Sequence, residues 1–235
     1  GSKAVRGTGQ HARESTREEK MEAARRELPY TFEMPAQQAD LDRLLEHQSG
    51  ERQDTILHRL VTCHALALSP SNKGKLTSLI TLLLRRMDAL AEASPLDRTS
   101  LDSALKALTM ISHQIPDAAA EVFAERLRLI QEDVWKGLAE GSCSWPEGCD
   151  LIFMRTLSLV FPTTDFVHRI VTPYHLLLAQ LLAQCPLKTP RDAAAGVFVA
   201  TLLQSSCNGA SRIAPEIPAF LSALLAAALP PPPPV

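Results

Sequence analysis

Five cysteines and seven histidines are the side chains of this chain best suited to hold a metal or do nucleophilic chemistry. Cys143 and Cys149 lie six residues apart in a turn-rich segment, with His168 and His175 downstream. Structural zinc sites use closer cysteine pairs, of the C-x₂₋₄-C kind, and no such pair occurs, so these residues read as free thiols rather than ligands. Cys63 and His64 are adjacent, and neighbours on a helix point about 100° apart, which keeps them from sharing one ligand site. They read as a core cysteine beside a partly exposed histidine. The segment Ser71, Asn72, Lys73, Gly74, Lys75 has the lysines and glycine of a phosphate loop without its frame or its preceding strand, and Gly7-Thr8-Gly9 misses the dinucleotide pattern in the same way. No G-x-S-x-G, H-E-x-x-H or kinase signature is present. The chain is therefore read as a non-enzyme without metal or cofactor.

Arginine is the remaining chemistry. Arg25-Arg26, Arg85-Arg86 and Arg126 with Arg128 can each meet phosphates, or can each be a solvated helix face with Asp and Glu interspersed. With a formal net charge of −2, the chain lacks the clustered positive footprint of a nucleic-acid wrapper, which leaves RNA contact through scattered Arg as the secondary reading.

The elements that carry these residues are helical. Hydrophobic residues make up 46% and aromatic residues 5%, and leucine and alanine dominate, which favours helix over a sandwich or barrel. Apolar spacing predicts helices around Leu41, Leu44 and Leu45, then Ile56, Leu57, Leu60 and Val61, with Ser49-Gly50 as the break between them. A long helix starts at Ser71 or Asn72 and carries one stripe of Leu76, Leu79, Ile80, Leu83, Met87 and Leu90. Asp97 caps the next helix, and Pro116 opens another with Val122, Phe123, Leu127, Ile130 and Val134. After the segment 141–148 (GSCSWPEG), further helices cover residues 149–161, 173–185, 191–207 and 215–229, with Thr172-Pro173 as an N-cap and first-turn pair. Helices of similar length joined by short proline-bearing turns suit stacked hairpins, so the fold expected is all-α, an irregular α-solenoid of the armadillo or HEAT kind. Residues 1–27 read as a polar tail, 28–140 as the first helical half, 141–229 as a second half and 230–235 as a polyproline extension. The longest apolar run, residues 217–229, is shorter than the ~20 residues of a membrane span, so no membrane association is expected.

Two corner segments join aromatics to prolines: residues 26–35 (RELPYTFEMP) and 161–173 (FPTTDFVHRIVTP). In the first, Tyr30, Phe32 and Met34 alternate between Pro29 and Pro35 and predict a strap whose Tyr30 and Phe32 rings are buried on helices. In the second, Thr163, Thr164 and Asp165 sit where a helix N-terminus wants an acceptor. Together with SNKGKL at 71–76 and QLLAQCP at 180–186, these corners resemble the nucleolar protein 14 family, in order from about Arg25 to about Leu221. The resemblance implies a structural component of the small-subunit processome, located in the nucleolus and acting in maturation of small-subunit ribosomal RNA. It also implies a nucleolar complex protein of helical-repeat type as partner, and contact with a methyltransferase that acts in small-subunit assembly. Family members are several times longer, with acidic segments before this region and a basic tail after it, and this chain opens on Gly1-Ser2, so it reads as a fragment. The alanine-rich residues 219–229 and the prolines after them depart from the family pattern. On residue physics alone, a generic armadillo-like adaptor in another intracellular complex and a helical hydrolase without recognisable motif remain open beside this reading.

Charge distribution points to a partner surface. Only nine charged residues fall within the 86 residues from Asp150 to Val235, and sparse charge on an open helical array implies apolar surface for a partner to cover. The helix at 173–185 is apolar on almost every side, and Tyr174, Leu177, Leu178 and Leu181 are the partner-binding residues expected on it.

Overall fold

The computed structural model describes residues 28–161, 169–208 and 213–228. Among these residues it holds nine α-helices: α1 (Gln38–Leu45), α2 (Gly50–Cys63), α3 (Asn72–Glu92), α4 (Arg98–Gln114), α5 (Pro116–Ala139), α6 (Gly148–Val160), α7 (Val171–Gln184), α8 (Pro190–Asn208) and α9 (Glu216–Ala228). No strand occurs among the described residues. The polar residues 1–27, the Thr163 to Asp165 corner, His168 and the prolines of 230–234 lie outside them.

Residues 28–37 form the irregular strap. Arg59 of α2 donates to the carbonyls of Leu28 and Pro29, both at 2.8 Å, and the Cys63 thiol reaches the Tyr30 carbonyl at 3.8 Å. Capture of these three carbonyls turns the Tyr30 ring outward, so the expected burial of Tyr30 is corrected: it is 79% exposed and lies under the Arg59 guanidinium at 5.7 Å. Phe32 and Met34 are half-buried against the core, and Pro35 is buried.

Every helix touches the second one along: α1 meets α3, α2 meets α4, and so on to α7 with α9. The first residue of α2 must be small, because a Cβ on Gly50 would stand 2.6 Å from the Thr99 side chain, and the Gly50 carbonyl accepts from Ser103 Oγ at 3.1 Å. The facing side of α4 is correspondingly small, with Ser100, Ser103, Ala104 and Ala107 buried. Its start is capped as expected. The Asp97 carboxylate accepts from Ser100 Oγ (2.6 Å), Thr99 Oγ1 (2.8 Å) and both backbone N–H groups (3.1 Å each).

Two local expectations change. The stripe on α3 is wider than one face: Leu82 and Leu84 are buried as well as Leu76, Leu79, Ile80, Leu83 and Met87, because α1, α4, α5 and α6 all pack on this helix. Thr172-Pro173 is not the start of α7. The helix begins at Val171, with Ile170 and Val171 fully buried, and Pro173 falls at the third position, where a missing N–H leaves no helical bond unmade.

The buried residues form one cluster from Leu41 to Phe220, and helices on either side of the 141–147 segment pack directly, α6 against α3 and α4. At its centre Phe123 stacks on Phe153 (5.6 Å) and meets Phe161 edge-on (5.1 Å). At the far end Trp145 is buried, donates Nε1–H to the Pro186 carbonyl at 2.9 Å and meets Phe220 of α9 edge-on at 5.8 Å. Gly196 of α8 makes room for both rings, since a Cβ there would stand 2.2 Å from Phe220 Cζ and 3.0 Å from Trp145 Cη2.

Two measurements check this packing. Gly196→Ala should lower stability by about 1–3 kcal/mol, read as a lower urea midpoint, because the Phe220 ring has to shift to admit the methyl group. Asp97→Ala should cost about 1 kcal/mol at neutral pH. The hydrogen bonds, led by that from Ser100, hold the Asp97 carboxyl below its ordinary pKa. Its stabilisation is therefore present above the ordinary carboxylate range and lost as pH falls through the lowered value. Urea melts of both proteins at pH 7 and about pH 2–3 should show the difference shrinking in acid.

Candidate functional site

The four residues expected to bind a partner are core. Tyr174, Leu178 and Leu181 are 0% exposed and Leu177 is 1% exposed. The physical reason is that α5, α8 and α9 all pack on α7, so its apolar sides are covered by this chain itself. The low charge density of the helix reflects burial from three directions. Burial also pushes the Tyr174 phenol above its ordinary pKa, an effect the neighbouring Ser158 hydroxyl only partly offsets.

What α7 leaves open is Leu176, 65% exposed. Beside the seam of α5 and α7 stands the half-exposed Trp135, whose indole N–H donates to Gln180 Oε1 at 3.0 Å. Gln131 Nε2 donates to the Pro173 carbonyl at 3.2 Å, which fastens α5 to the first turn of α7. On the other side of Leu176 a groove of about 250 Å³ runs past His175, Ala179, Leu203 and Ile213. Beyond it α9 buries only Phe220 and exposes Leu221 and Leu225. Among the described residues, the large apolar side chains that the charge-poor region exposes are thus Leu159, Leu176, Val197, Phe198, Ile213, Leu221 and Leu225, and none of them is a residue the sequence singled out. Composition showed the helices; only the packing shows which side of each is covered.

The arginines are largely engaged within the chain. Arg126 forms a two-pronged pair with Asp88 of α3 (2.5 and 2.9 Å), reaches Asp150 of α6 at 3.4 Å, and lies 5.1 Å over the Phe153 ring. Asp150 is pulled in two directions: burial pushes its carboxyl up, and Arg126 pulls it back. Arg128 pairs with Glu125 at 2.7 Å and with Glu132. Arg86 pairs with Asp42 at 3.0 Å. Arg25 and Arg26 lie outside the described residues. The segment Ser71 to Lys75 is a helix start, and the Asn72 side chain donates to the Ala65 carbonyl at 3.2 Å rather than capping.

Cysteine pairing differs from sequence proximity. Cys143 lies 3.3 Å, sulfur to sulfur, from Cys185 at the end of α7. Cys149 is separate, and burial is the main cause that raises its thiol pKa. Cys63 is half-buried against the strap, and His64 Nδ1 contacts the Leu60 carbonyl at 2.9 Å. Among the described residues no three His, Cys, Asp or Glu side chains converge as a metal site, and no helix is long and apolar enough to cross a membrane.

The model of the Nop14-like family matches residues 2–234, taking in the alanine-rich end. Nucleolar protein 14 of Homo sapiens is 33% identical over 217 residues, covering 92% of this chain and 25% of that protein. Nucleolar protein 14 of Mus musculus is 31% identical, covering 87% of the chain and 24% of that protein. A probable nucleolar complex protein 14 of Schizosaccharomyces pombe is 25% identical, over 81% of the chain and 23% of that protein. The chain spans about a quarter of the length of these relatives.

The two sides of α7 are separable by one pair of variants. Leu178→Glu places a carboxylate in the core and should cost on the order of 4 kcal/mol or more, or unfold the chain. Leu176→Glu should leave helicity unchanged and the midpoint within ~0.5 kcal/mol. Circular dichroism melts measure both.

Proposed function

This chain belongs to the Nop14-like family, and on that premise we propose that it is a non-enzymatic helical scaffold of the nucleolar small-subunit processome. It works in ribosome biogenesis, in processing of the small-subunit ribosomal RNA precursor and assembly of the small subunit, through protein–protein contacts. The observation that carries this reading is the family match across nearly the whole chain, supported by relatives that bear the names nucleolar protein 14 and nucleolar complex protein 14. Its location is the nucleus and nucleolus.

The architecture fits a scaffold. Contact of each helix with the second one along, from α1 with α3 to α7 with α9, is what stacked helical hairpins make, and we read the array as an irregular α-solenoid. Its partners are a nucleolar complex protein of helical-repeat type and processome proteins that include a ribosome-assembly methyltransferase. Leu176, Leu221 and Leu225 offer apolar contacts to a helix of such a partner. Pre-ribosomal RNA is met through scattered Arg. Arg126, Arg128 and Arg86 already hold carboxylates within the chain, so RNA contacts made by this segment are weak and fall with salt.

Affinity purification of the full-length protein that carries this segment tests the proposal. Small-subunit ribosomal RNA precursors and nucleolar assembly proteins should be recovered with it, and recovery should drop when residues 28–228 are deleted. A stable complex devoid of pre-ribosomal components would overturn it in favour of an adaptor in another assembly.

A further inference from the structure

Residues 141–147 are held at both ends of a short path. Ser142 N–H donates to the Gly137 carbonyl at 2.8 Å, and the Trp145 indole to the Pro186 carbonyl at 2.9 Å. Between these fixed points lie Cys143 and, across from it, Cys185, with sulfurs 3.3 Å apart. Both thiols also face the Ser144 carbonyl, at 3.9 and 3.7 Å. A disulfide bond is about 2.05 Å long, so an approach of little more than 1 Å joins the two.

We propose that Cys143 and Cys185 form a reversible redox lock that staples the 141–147 segment to the corner between α7 and α8. The proposal is independent of the scaffold reading. Cys143 is the half-buried member and lines a cavity of about 480 Å³ with Lys136, Glu140 and Trp145, which admits a small disulfide. Cys185 is buried, and burial with the Cys143 sulfur beside it pushes its thiol pKa up, so Cys143 attacks first. With a low-molecular-weight disulfide such as oxidised glutathione, the Cys143 thiolate breaks the S–S bond. It forms a mixed disulfide, and its proton leaves with the first glutathione as a thiol. Cys185 then attacks the Cys143 sulfur and passes its proton to the second glutathione. Two protein thiols are oxidised, and one glutathione disulfide is reduced to two thiols. In a reducing compartment the pair rests as thiols and closes when the poise becomes oxidising. The bond encloses α6 and α7 and fixes Trp145 in its seat against Phe220, so the end of the array that carries α9 stiffens on oxidation.

The test equilibrates the purified chain in glutathione buffers from fully reduced to fully oxidised, quenches in acid, alkylates free thiols and maps peptides by mass. Two of the five thiols should disappear together, in one Cys143 to Cys185 link without retained glutathione, and the oxidised protein should melt several degrees higher. Cys149→Ser should behave like the parent. Cys143→Ser should keep its helicity in reducing buffer and lose both the link and the rise in melting temperature. Retained glutathione on Cys143, a link to Cys149, five unreacted thiols in the most oxidising buffer, or a link that leaves the melting temperature unchanged each overturns the lock. Should Cys143→Ser fail to fold, Cys143→Ala carries the same comparison.

Discussion

Burial of α3 is the constraint on which the other contacts depend. A helix with apolar residues on one stripe needs one neighbour; α3 also carries Leu82 and Leu84 off that stripe, and four helices close around it. Removing Leu, Ile and Met side chains from water contributes roughly 1.5–3 kcal/mol each, before the entropy of ordering is subtracted. Seven such side chains on one helix therefore draw α1, α4, α5 and α6 to a common axis. The 141–147 segment follows from this. Because α6 must return to α3, the chain leaving α5 has to turn back within a few residues, and Gly141 takes the positive φ of 69° that the turn needs.

Charge then secures what apolar burial brings together. Arg126 joins three helices, since its guanidinium leaves α5, takes the Asp88 carboxylate of α3 on two prongs, and reaches Asp150 at the start of α6. A partly buried arginine between two carboxylates satisfies groups that would otherwise be costly to desolvate. Arg59 does the same for the strap by holding the Leu28 and Pro29 carbonyls, which have no regular secondary structure to satisfy them. Of the arginines that the sequence offers to phosphate, Arg86 and Arg126 thus hold carboxylates of other helices.

The charge-poor end illustrates how one composition supports two readings. An apolar helix is either a face awaiting a partner or an element surrounded by its own chain. For α7 the second holds, because α5, α8 and α9 enclose Tyr174, Leu177, Leu178 and Leu181. For α9, Phe220 alone is buried, anchored between Gly196 and Trp145, and its remaining leucines are half-buried or exposed. Within this chain α7 is packed by α5, α8 and α9, whereas α9 packs on α7 and α8, which is why the two helices differ despite similar composition.

The sequence by itself determined the all-helical class, the caps and breaks at Asp97, Pro116 and Ser49-Gly50, and, through its aromatic and proline corners, the family. These are local properties: a cap needs only its next three residues, a helix only its own periodicity, and a corner motif can be matched without knowing what it touches. Tertiary structure alone decided that Tyr30 faces solvent, that α7 starts before Pro173, that α3 is buried beyond its stripe, and that Cys143 meets Cys185 rather than Cys149. Each of these depends on which helix arrives from far along the chain and on which side it lands. Periodicity specifies that an apolar face will be covered but carries no label for what covers it, because hydrophobic burial is non-directional.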